Sequence, residues 1–275
     1  MRILAILAAK EIQDGLRNRW VAASILLLTT LALSLYFLGA APTGSIKASS
    51  LTVTVVSLAS LSVYLIPLMA LMLSFDALVG EFERGTMLLL LTYPVSRWEV
   101  VGGKFIGHMM ILALAIVIGY GVTALVIAFS TGSSLENWQA YVLMMLSSWL
   151  LGGIFIALGY LISILVKERA TAVGAAIGVW IVGVLLYDLG LMGILLADKD
   201  QLISQNLFTG LIVANPTDAY RIFNFTSIDA VSQVAGMADI GAKANVNPTM
   251  LLLVMATWIV VPLVITVVRF RRREL

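Results

Sequence analysis

The chain of 275 residues contains no cysteine, one histidine and few charged side chains, which make up 12% of it. Without cysteine it has no disulfide, no thiolate metal ligand and no cysteine nucleophile. Soluble domains of ordinary composition carry about twice this share of charge. The formal net charge of +2 is small and gives no reason to expect a nucleic acid as partner. These shortages exclude a thiol-dependent protein and point away from an ordinary soluble domain.

Apolar residues, by contrast, make up 61% of the chain, and the mean hydropathy is +1.03. A helix of roughly 18–20 apolar residues crosses a hydrocarbon core and satisfies its own backbone there. The apolar runs do not alternate with polar residues as barrel strands do. The sequence therefore predicts an all-α membrane protein with six transmembrane helices, over residues 20–41, 53–75, 105–130, 141–166, 170–197 and 250–268.

The basic residues are distributed unevenly between the segments that connect these spans. If both termini lie in the cytoplasm, the segments on that side hold 13 of the 17 lysines and arginines. Membrane proteins retain an excess of basic residues on the cytoplasmic side. We therefore predict a multi-pass protein with both termini in the cytoplasm. The remaining basic residues are Lys47, Lys199, Arg221 and Lys243.

Residues 1–19 are predicted to form an amphipathic helix on the inner membrane surface, followed by the transmembrane domain, 20–275. Four apolar residues fall near one face of this helix: Ile3, Leu7, Ile12 and Leu16. Lys10, Arg17 and Arg19 can reach lipid phosphates. The alternative is that the first span simply starts early.

Two connections are long: a cytoplasmic one, 76–104, and an outer one, 198–247. Apolar periodicity in the outer connection predicts a helix near 202–212 and a second short helix near 228–235. Between them, Pro216 suits the first position of a helix. Two interpretations remain for these helices: packing over the bundle, or contact with a partner or the lipid surface.

The cytoplasmic connection is the segment most typical of a functional surface. It begins with the charged group Glu81, Glu83 and Arg84, followed by Gly85 and Thr86. The apolar run 87–91 is too short to span a membrane. We predict two short helices joined at Tyr93-Pro94, with Ser96 capping the second. The apolar run would pack against the bundle while the charged group faces the cytosol, where it could transmit a push from a docked partner.

The sequence contains no recognisable energy source for transport. It lacks the G-x-x-x-x-G-K-[ST] phosphate-binding motif. The stretch from Gly80 to Thr86 has the glycine spacing, but it lacks the lysine and carries two carboxylates. Only Asp188 lies well inside a predicted span, whereas an ion-coupled carrier needs ionisable groups there. A partner ATPase is therefore favoured. A self-sufficient secondary transporter or channel and a purely mechanical docking subunit are the alternatives.

No intramembrane enzyme is predicted, because the spans show no cluster of His, Asp and Ser. The 12 methionines suit Cu(I) in principle. However, the tempting pairs Met109-Met110, beside His108, and Met144-Met145 consist of adjacent residues, which point about 100° apart on a helix. Methionine is also a common filler of apolar cores, so we predict no metal site on this chain.

Two Gly-x-x-x-Gly pairs, at 103/107 and 174/178, allow close approach of another helix. Packing within one bundle is the favoured interpretation. A seam between two copies of the chain is the alternative.

The cytoplasmic connection resembles a known family. Its pattern is Glu81-x-Glu83-x-Gly85-Thr86, a leucine-rich run, Pro94-x-Ser96-Arg97, and then Lys104 before a span. This is similar to the first coupling region of ABC-2-type transporter permeases, E-x-x-x-G-T…P-x-S-R…K. The Lys167-Glu168-Arg169 turn is similar to their second cytoplasmic contact. Residues 215–221 resemble one branch, the permeases of complexes that mature nitrous oxide reductase.

The resemblance implies an ABC-2 (type V exporter-like) bundle in a bacterial inner membrane, with an N-terminal elbow helix. It implies a non-enzymatic subunit that works with a second copy of itself over two ATPase subunits, which bind ATP and Mg²⁺. For that branch it further implies a periplasmic β-helical partner and copper-site maturation. The implied ATPase contacts are Glu81, Glu83, Arg84, Gly85, Thr86, Pro94, Ser96, Arg97, Lys167, Glu168 and Arg169. The implied periplasmic docking residues are Asp218, Tyr220 and Arg221.

Overall fold

The structure, a computed structural model, describes residues 2–39, 50–131, 138–197, 204–226 and 247–273. These ranges are helical and contain no β-strand. The helices are α1 (Arg2–Leu16), α2 (Arg19–Gly39), α3 (Ser50–Ser74), α4 (Val79–Glu83), α5 (Thr86–Leu91), α6 (Arg97–Thr131), α7 (Trp138–Leu165), α8 (Arg169–Trp180), a π-helical segment (Ile181–Leu186), α9 (Tyr187–Ala197), α10 (Gln205–Ala214), α11 (Pro216–Thr226) and α12 (Pro248–Arg272).

Six helical stretches of the described residues are long and apolar enough to cross a membrane. They are α2, α3 with α4, α6, α7, the run from α8 into α9, and α12. The predicted all-α architecture with six spans is therefore confirmed. The pair of α3 and α7 forms the centre of the bundle, with α2, α6 and α12 around it.

The N-terminal segment is a separate helix and not an early start of the first span. The chain turns at Asn18, whose side-chain Oδ1 accepts a hydrogen bond from the backbone N–H of Trp20 at 2.9 Å and so caps α2. Helix α1 packs along α6 through Leu7, Ala8 and Glu11, which are buried. Of the four apolar residues of the predicted face, Leu7 is buried and Leu16 is 55% exposed.

Helix α6 begins at Arg97, well before the predicted start at residue 105. The backbone N–H and the hydroxyl of Ser96 both bond to Glu99 Oε2, at 2.9 and 2.5 Å. This is the reciprocal half of a capping box. Ser96 thus lies at a helix start, as predicted. The second short helix, however, is the first part of α6, because no residue after Ser96 interrupts the helix.

The fifth span is the least buried of the six and contains the π-helical segment. The extra residue of a π-turn leaves backbone carbonyls available, and Gly183 O accepts a bond from Asn215 Nδ2 at 2.9 Å. Gly174 and Gly178 have no described atom within 4 Å of their Cβ positions. The expectation that this glycine pair packs inside the bundle is therefore wrong.

Helices α10 and α11 meet at Asn215, whose Oδ1 accepts a bond from the backbone N–H of Thr217 at 2.9 Å. Helix α11 is almost wholly buried against α3, α7 and α12. The helix predicted near 202–212 is α10, in which Val213 is buried and Leu207 is 57% exposed, whereas α11 is a further helix that starts at Pro216. The predicted helix at 228–235 lies outside the described residues.

Candidate functional site

The two segments that the sequence predicts to be cytoplasmic lie together at one end of the bundle. Arg169 joins them, because its guanidinium donates to Asp76 Oδ2 at 2.5 Å and its backbone N–H donates to Glu83 Oε1 at 2.7 Å. Arg273, near the C-terminus, donates to Ile164 O at the same end, at 3.0 Å. We call this end, where α1, α4, α5 and the last turn of α12 meet, the termini end.

Gly85 joins α4 to α5, and the predicted break at Tyr93-Pro94 lies between α5, which ends at Leu91, and α6, which begins at Arg97. Gly85 has a φ of +69°, in the left-handed region, and no atom of the described residues lies within 4 Å of its Cβ position. Conformation, not space, therefore requires glycine at this position. The Thr86 hydroxyl donates back to Glu81 O at 3.3 Å. The sharp turn lets α5 lie beside α4 at the termini end.

The first turn of α4 is anchored from another helix. Ser163, a buried residue of α7, accepts hydrogen bonds from the backbone N–H groups of Leu78 and Val79, at 3.0 and 2.9 Å. The first amides of a helix lack intrahelical acceptors, so this hydroxyl replaces a local cap. Ser163 lies in an uninterrupted apolar run, so the sequence offers no signal that would identify this role.

A stack of aromatic rings and guanidinium groups fixes the other side of α4. Phe82 and Phe270 meet edge to face, with ring centroids 5.9 Å apart. Arg273 lies 4.2 Å from the Phe82 ring centroid, and Arg97 lies 5.3 Å from that of Phe270. Arg97 also donates a hydrogen bond to Phe270 O. Arg97 thus braces the start of α6 against α12 rather than facing outward.

The face of α4 and α5 away from the bundle is exposed and mixed in character. Leu88 is 52% exposed and Leu89 is 67% exposed, although the whole run 87–91 was predicted to pack against the bundle; only Met87 is fully buried. The exposed residues around them are Glu83, Arg84, Thr86, Tyr93, Pro94, Trp98, Lys167, Glu168 and Arg169. We call this set, with the two leucines, the α4–α5 surface. An apolar patch rimmed by charged groups is typical of a protein-binding site.

Glu81 does not belong to that surface, so the prediction that it faces the cytosol is wrong. Its side chain is 7% exposed, and Oε1 lies 2.7 Å from Lys104 Nζ. Lys104, which is 4% exposed, also lies 2.5 Å from Glu11 Oε1 on α1. Lys10 Nζ approaches Glu81 from the surface, at 3.5 Å. We call these four residues the Lys104 cluster.

The residues predicted to dock a periplasmic partner face inward at the opposite end of the bundle. Tyr220 is fully buried, and its hydroxyl lies 2.9 Å from Ser148 Oγ. Asp218 is also buried, and Arg221 donates to Asp218 Oδ1 at 2.8 Å. The docking prediction is therefore wrong for Asp218 and Tyr220, because α11 inserts its polar residues between the spans.

Arg221 also donates to Asp188 Oδ2 at 2.9 Å, so that one guanidinium serves two carboxylates. Burial raises the pKa of Asp218 to about 7; Arg221 opposes the rise, and the neighbouring Asp188 carboxylate adds to it. Burial likewise raises the pKa of Tyr220, to about 12. This group holds α11 against the fifth span, and its charge balance depends on pH.

The residues weighed as metal ligands do not converge. Among the described residues, no three His, Asp or Glu side chains lie close enough together to hold a metal ion. His108 Nδ1 lies 2.7 Å from the Tyr160 hydroxyl, and its Nε2 faces Glu11 at 3.7 Å. Met109 is buried, whereas the adjacent Met110 is 51% exposed. The two sulfurs therefore belong to different faces of α6.

The fold and the termini end define a class of protein. The family model described as ABC-2 family transporter protein matches residues 5–275, so the chain belongs to this family and is an ABC transporter permease subunit. Two similar relatives share the name "Probable ABC transporter permease protein NosY". The protein from Stutzerimonas stutzeri is 43% identical over 269 residues, covering 97% of each chain. That from Pseudomonas aeruginosa is 41% identical over 281 residues, covering 100% of each.

Proposed function

We propose that this permease couples ATP hydrolysis on separate ATPase subunits to movement of its transmembrane helices, with two copies of each subunit in the complex. The ATPase contacts the α4–α5 surface and holds ATP and Mg²⁺. The exposure of Leu88 and Leu89 at the termini end, beside Glu83 and Arg84, is the observation that carries this proposal. Exposed leucines rimmed by charge suit a protein partner. The sequence has no phosphate-binding loop of its own.

The bracing of α4 explains how a push on this surface reaches the spans. Ser163 ties α4 to α7, and Arg169 ties it to the start of α8. Arg273 ties Phe82 of α4 to the end of α12. The contact itself consists of the exposed residues Leu88, Leu89, Glu83, Arg84, Thr86, Pro94, Lys167 and Glu168, together with the turn at Gly85. Glu81, Ser96 and Arg97 support it from behind.

A self-sufficient ion-coupled transporter fits the structure less well. Asp188, the ionisable residue that the sequence places inside a span, is paired with Arg221 at 2.9 Å. A group that carries an ion must be free to exchange it. Asp188→Asn is therefore expected to leave ATP-driven activity largely intact.

Co-purification with the ATPase tests the proposal. A double Leu88→Asp, Leu89→Asp change places two carboxylates at the contact, and we expect loss of bound ATPase while the permease still inserts. The matched control is Leu207→Asp, because Leu207 is 57% exposed on α10, far along the chain from the contact. Retention of a fully active ATPase by the double variant would contradict the proposed contact.

We further propose that the complex acts in the bacterial inner membrane, with both termini in the cytoplasm, in maturation of the copper site of nitrous oxide reductase, together with a periplasmic β-helical accessory protein. The resemblance of residues 215–221 and the similarity to permeases named NosY support this proposal. Deletion of the chain should lower the copper content and activity of the reductase, and re-expression should restore both. A reductase that is fully loaded in the deletion strain would contradict it.

A further inference from the structure

Helix α1 approaches α6 closely at two glycines. A Cβ atom at Gly103 would lie 2.7 Å from Leu7 Cβ, and one at Gly107 would lie 2.5 Å from Glu11 Cβ. A glycine stripe of this kind lets two helix backbones meet. It sets the register of α1, so that Glu11 comes beside Lys104, which follows Gly103 on α6.

Lys104 then bridges two elements that belong to different parts of the chain. Its Nζ lies 2.5 Å from Glu11 Oε1 of α1 and 2.7 Å from Glu81 Oε1 of α4. All three side chains are nearly buried, with exposures of 4%, 11% and 7% for Lys104, Glu11 and Glu81. The buried ammonium group of Lys104 on α6 thus contacts both α1 and α4.

The other anchors of α4 lead elsewhere in the bundle. Ser163 belongs to α7, Arg169 to α8, and Arg273 follows α12. Within the described residues, the ionic contacts of α4 with α1 and α6 are those of the Lys104 cluster. A displacement of α4 therefore reaches α1 through Lys104, with Lys10 as an exposed secondary contact.

The charge balance of the Lys104 cluster makes it sensitive to the loss of Lys104 alone. The carboxylates of Glu11 and Glu81 face the ammonium groups of Lys104 and Lys10, so the Lys104 cluster is neutral when all four are ionised. Loss of Lys104 would leave two nearly buried carboxylates facing the ammonium of exposed Lys10, with His108 Nε2 3.7 Å from Glu11. Removing one partner of a buried ion pair is strongly destabilising, whereas replacing all partners by neutral residues of similar size often is not.

We propose that Lys104 is a positioning residue that makes the N-terminal helix α1 move with α4 when the ATPase moves α4. This rests on the proposed function. A scaffold role alone would require only that α1 stay folded against α6, which the glycine stripe already provides. The ionic tie adds a mechanical connection to the ATPase-facing helix.

The test measures movement of α1 in the full complex with its ATPase. Because the chain lacks cysteine, Gln13→Cys on α1 and Leu207→Cys on α10 give one pair of spin labels at exposed positions on each copy of the permease. We expect the distance between the labels to shift when ATP is trapped. Lys104→Met should abolish the shift, and Lys10→Met should reduce it only slightly, because Lys10 is 56% exposed.

A neutral triple variant, Glu11→Gln, Glu81→Gln, Lys104→Met, removes the ionic contact without leaving an unpaired buried charge. It therefore distinguishes loss of the contact from loss of folding. It should keep normal thermal stability and bound, active ATPase, yet lose the ATP-dependent shift. A triple variant with the full shift would overturn the role of Lys104 and leave the proposed function intact. A native complex that binds its ATPase but shows no shift would overturn the proposed movement of α1 alone, whereas a permease that captures no ATPase would overturn both proposals.

Discussion

Replacing Gly107 by alanine should loosen the contact between α1 and α6, and the size of the effect follows from the geometry. The added Cβ would lie 2.5 Å from Glu11 Cβ and 3.0 Å from the backbone oxygen of Ala8, so the helices must separate. Overpacking of this kind costs about 1–3 kcal/mol. Alanine also raises helix propensity by about 0.8–1.0 kcal/mol, which hides part of the loss.

Gly121→Ala provides the control that isolates the steric cost. Gly121 lies in the same helix, and no described atom lies within 4 Å of its Cβ position. Both variants gain the same helix propensity, so the difference between them should be the overpacking cost, about 1–3 kcal/mol. In thermal unfolding of the purified permease, Gly107→Ala should melt several degrees below Gly121→Ala. Equal melting temperatures would refute the close packing of α1 on α6.

Three further changes test other contacts through thermal unfolding. Burial raises the pKa of Asp218 from 3.8 to about 7, so the native protein should lose stability as the pH rises from about 4 to about 7. The variant Asp218→Asn keeps a hydrogen-bond acceptor for Arg221 but carries no carboxylate. It should therefore be more stable than the native chain near pH 8. Equal stability there would contradict the burial of this carboxyl. Ser163→Ala leaves two backbone amides of α4 without an acceptor and should lower the free energy of unfolding by at most about 1–3 kcal/mol for each amide. Ser60→Ala, on an exposed face, should lower it little. Gly85→Ala forces a left-handed conformation on alanine and should lower the free energy of unfolding by about 1–2 kcal/mol. The control Gly174→Ala should not lower it.

The sequence was sufficient for the architecture because each span is defined locally. Apolar length predicts a span without any knowledge of its neighbours, and Asn18 provides a local cap that separates α1 from α2. The start of α6 differs from the prediction, since hydropathy detects only the apolar part of a helix, whereas α6 begins at a polar cap ahead of its buried residues Val100 and Val101. The Ser96–Glu99 pair is a local signal that could have placed it.

The site was predicted only in part because its anchors are tertiary. The charges of Glu83 and Arg84 face outward, as their polarity indicates. Glu81 has the same chemistry, but Lys104 and Glu11, distant in sequence, hold it inside. The docking role of Tyr220 was implied by the resemblance of residues 215–221 to one branch of the family, and nothing in that stretch of sequence indicates that α11 enters the bundle. Contacts between residues that are distant in sequence can be identified only from the folded structure.

The central claim, that an ATPase covers the α4–α5 surface, is tested most directly by cysteine protection. In this cysteine-free chain, Leu89→Cys places one thiol at a position where the native side chain is 67% exposed. The rate of its modification by a membrane-impermeant maleimide from the cytoplasmic side should fall strongly when the ATPase is bound, while that of Gln13→Cys on α1 should change little. An unchanged rate at residue 89 in a complex that retains its ATPase would contradict the account.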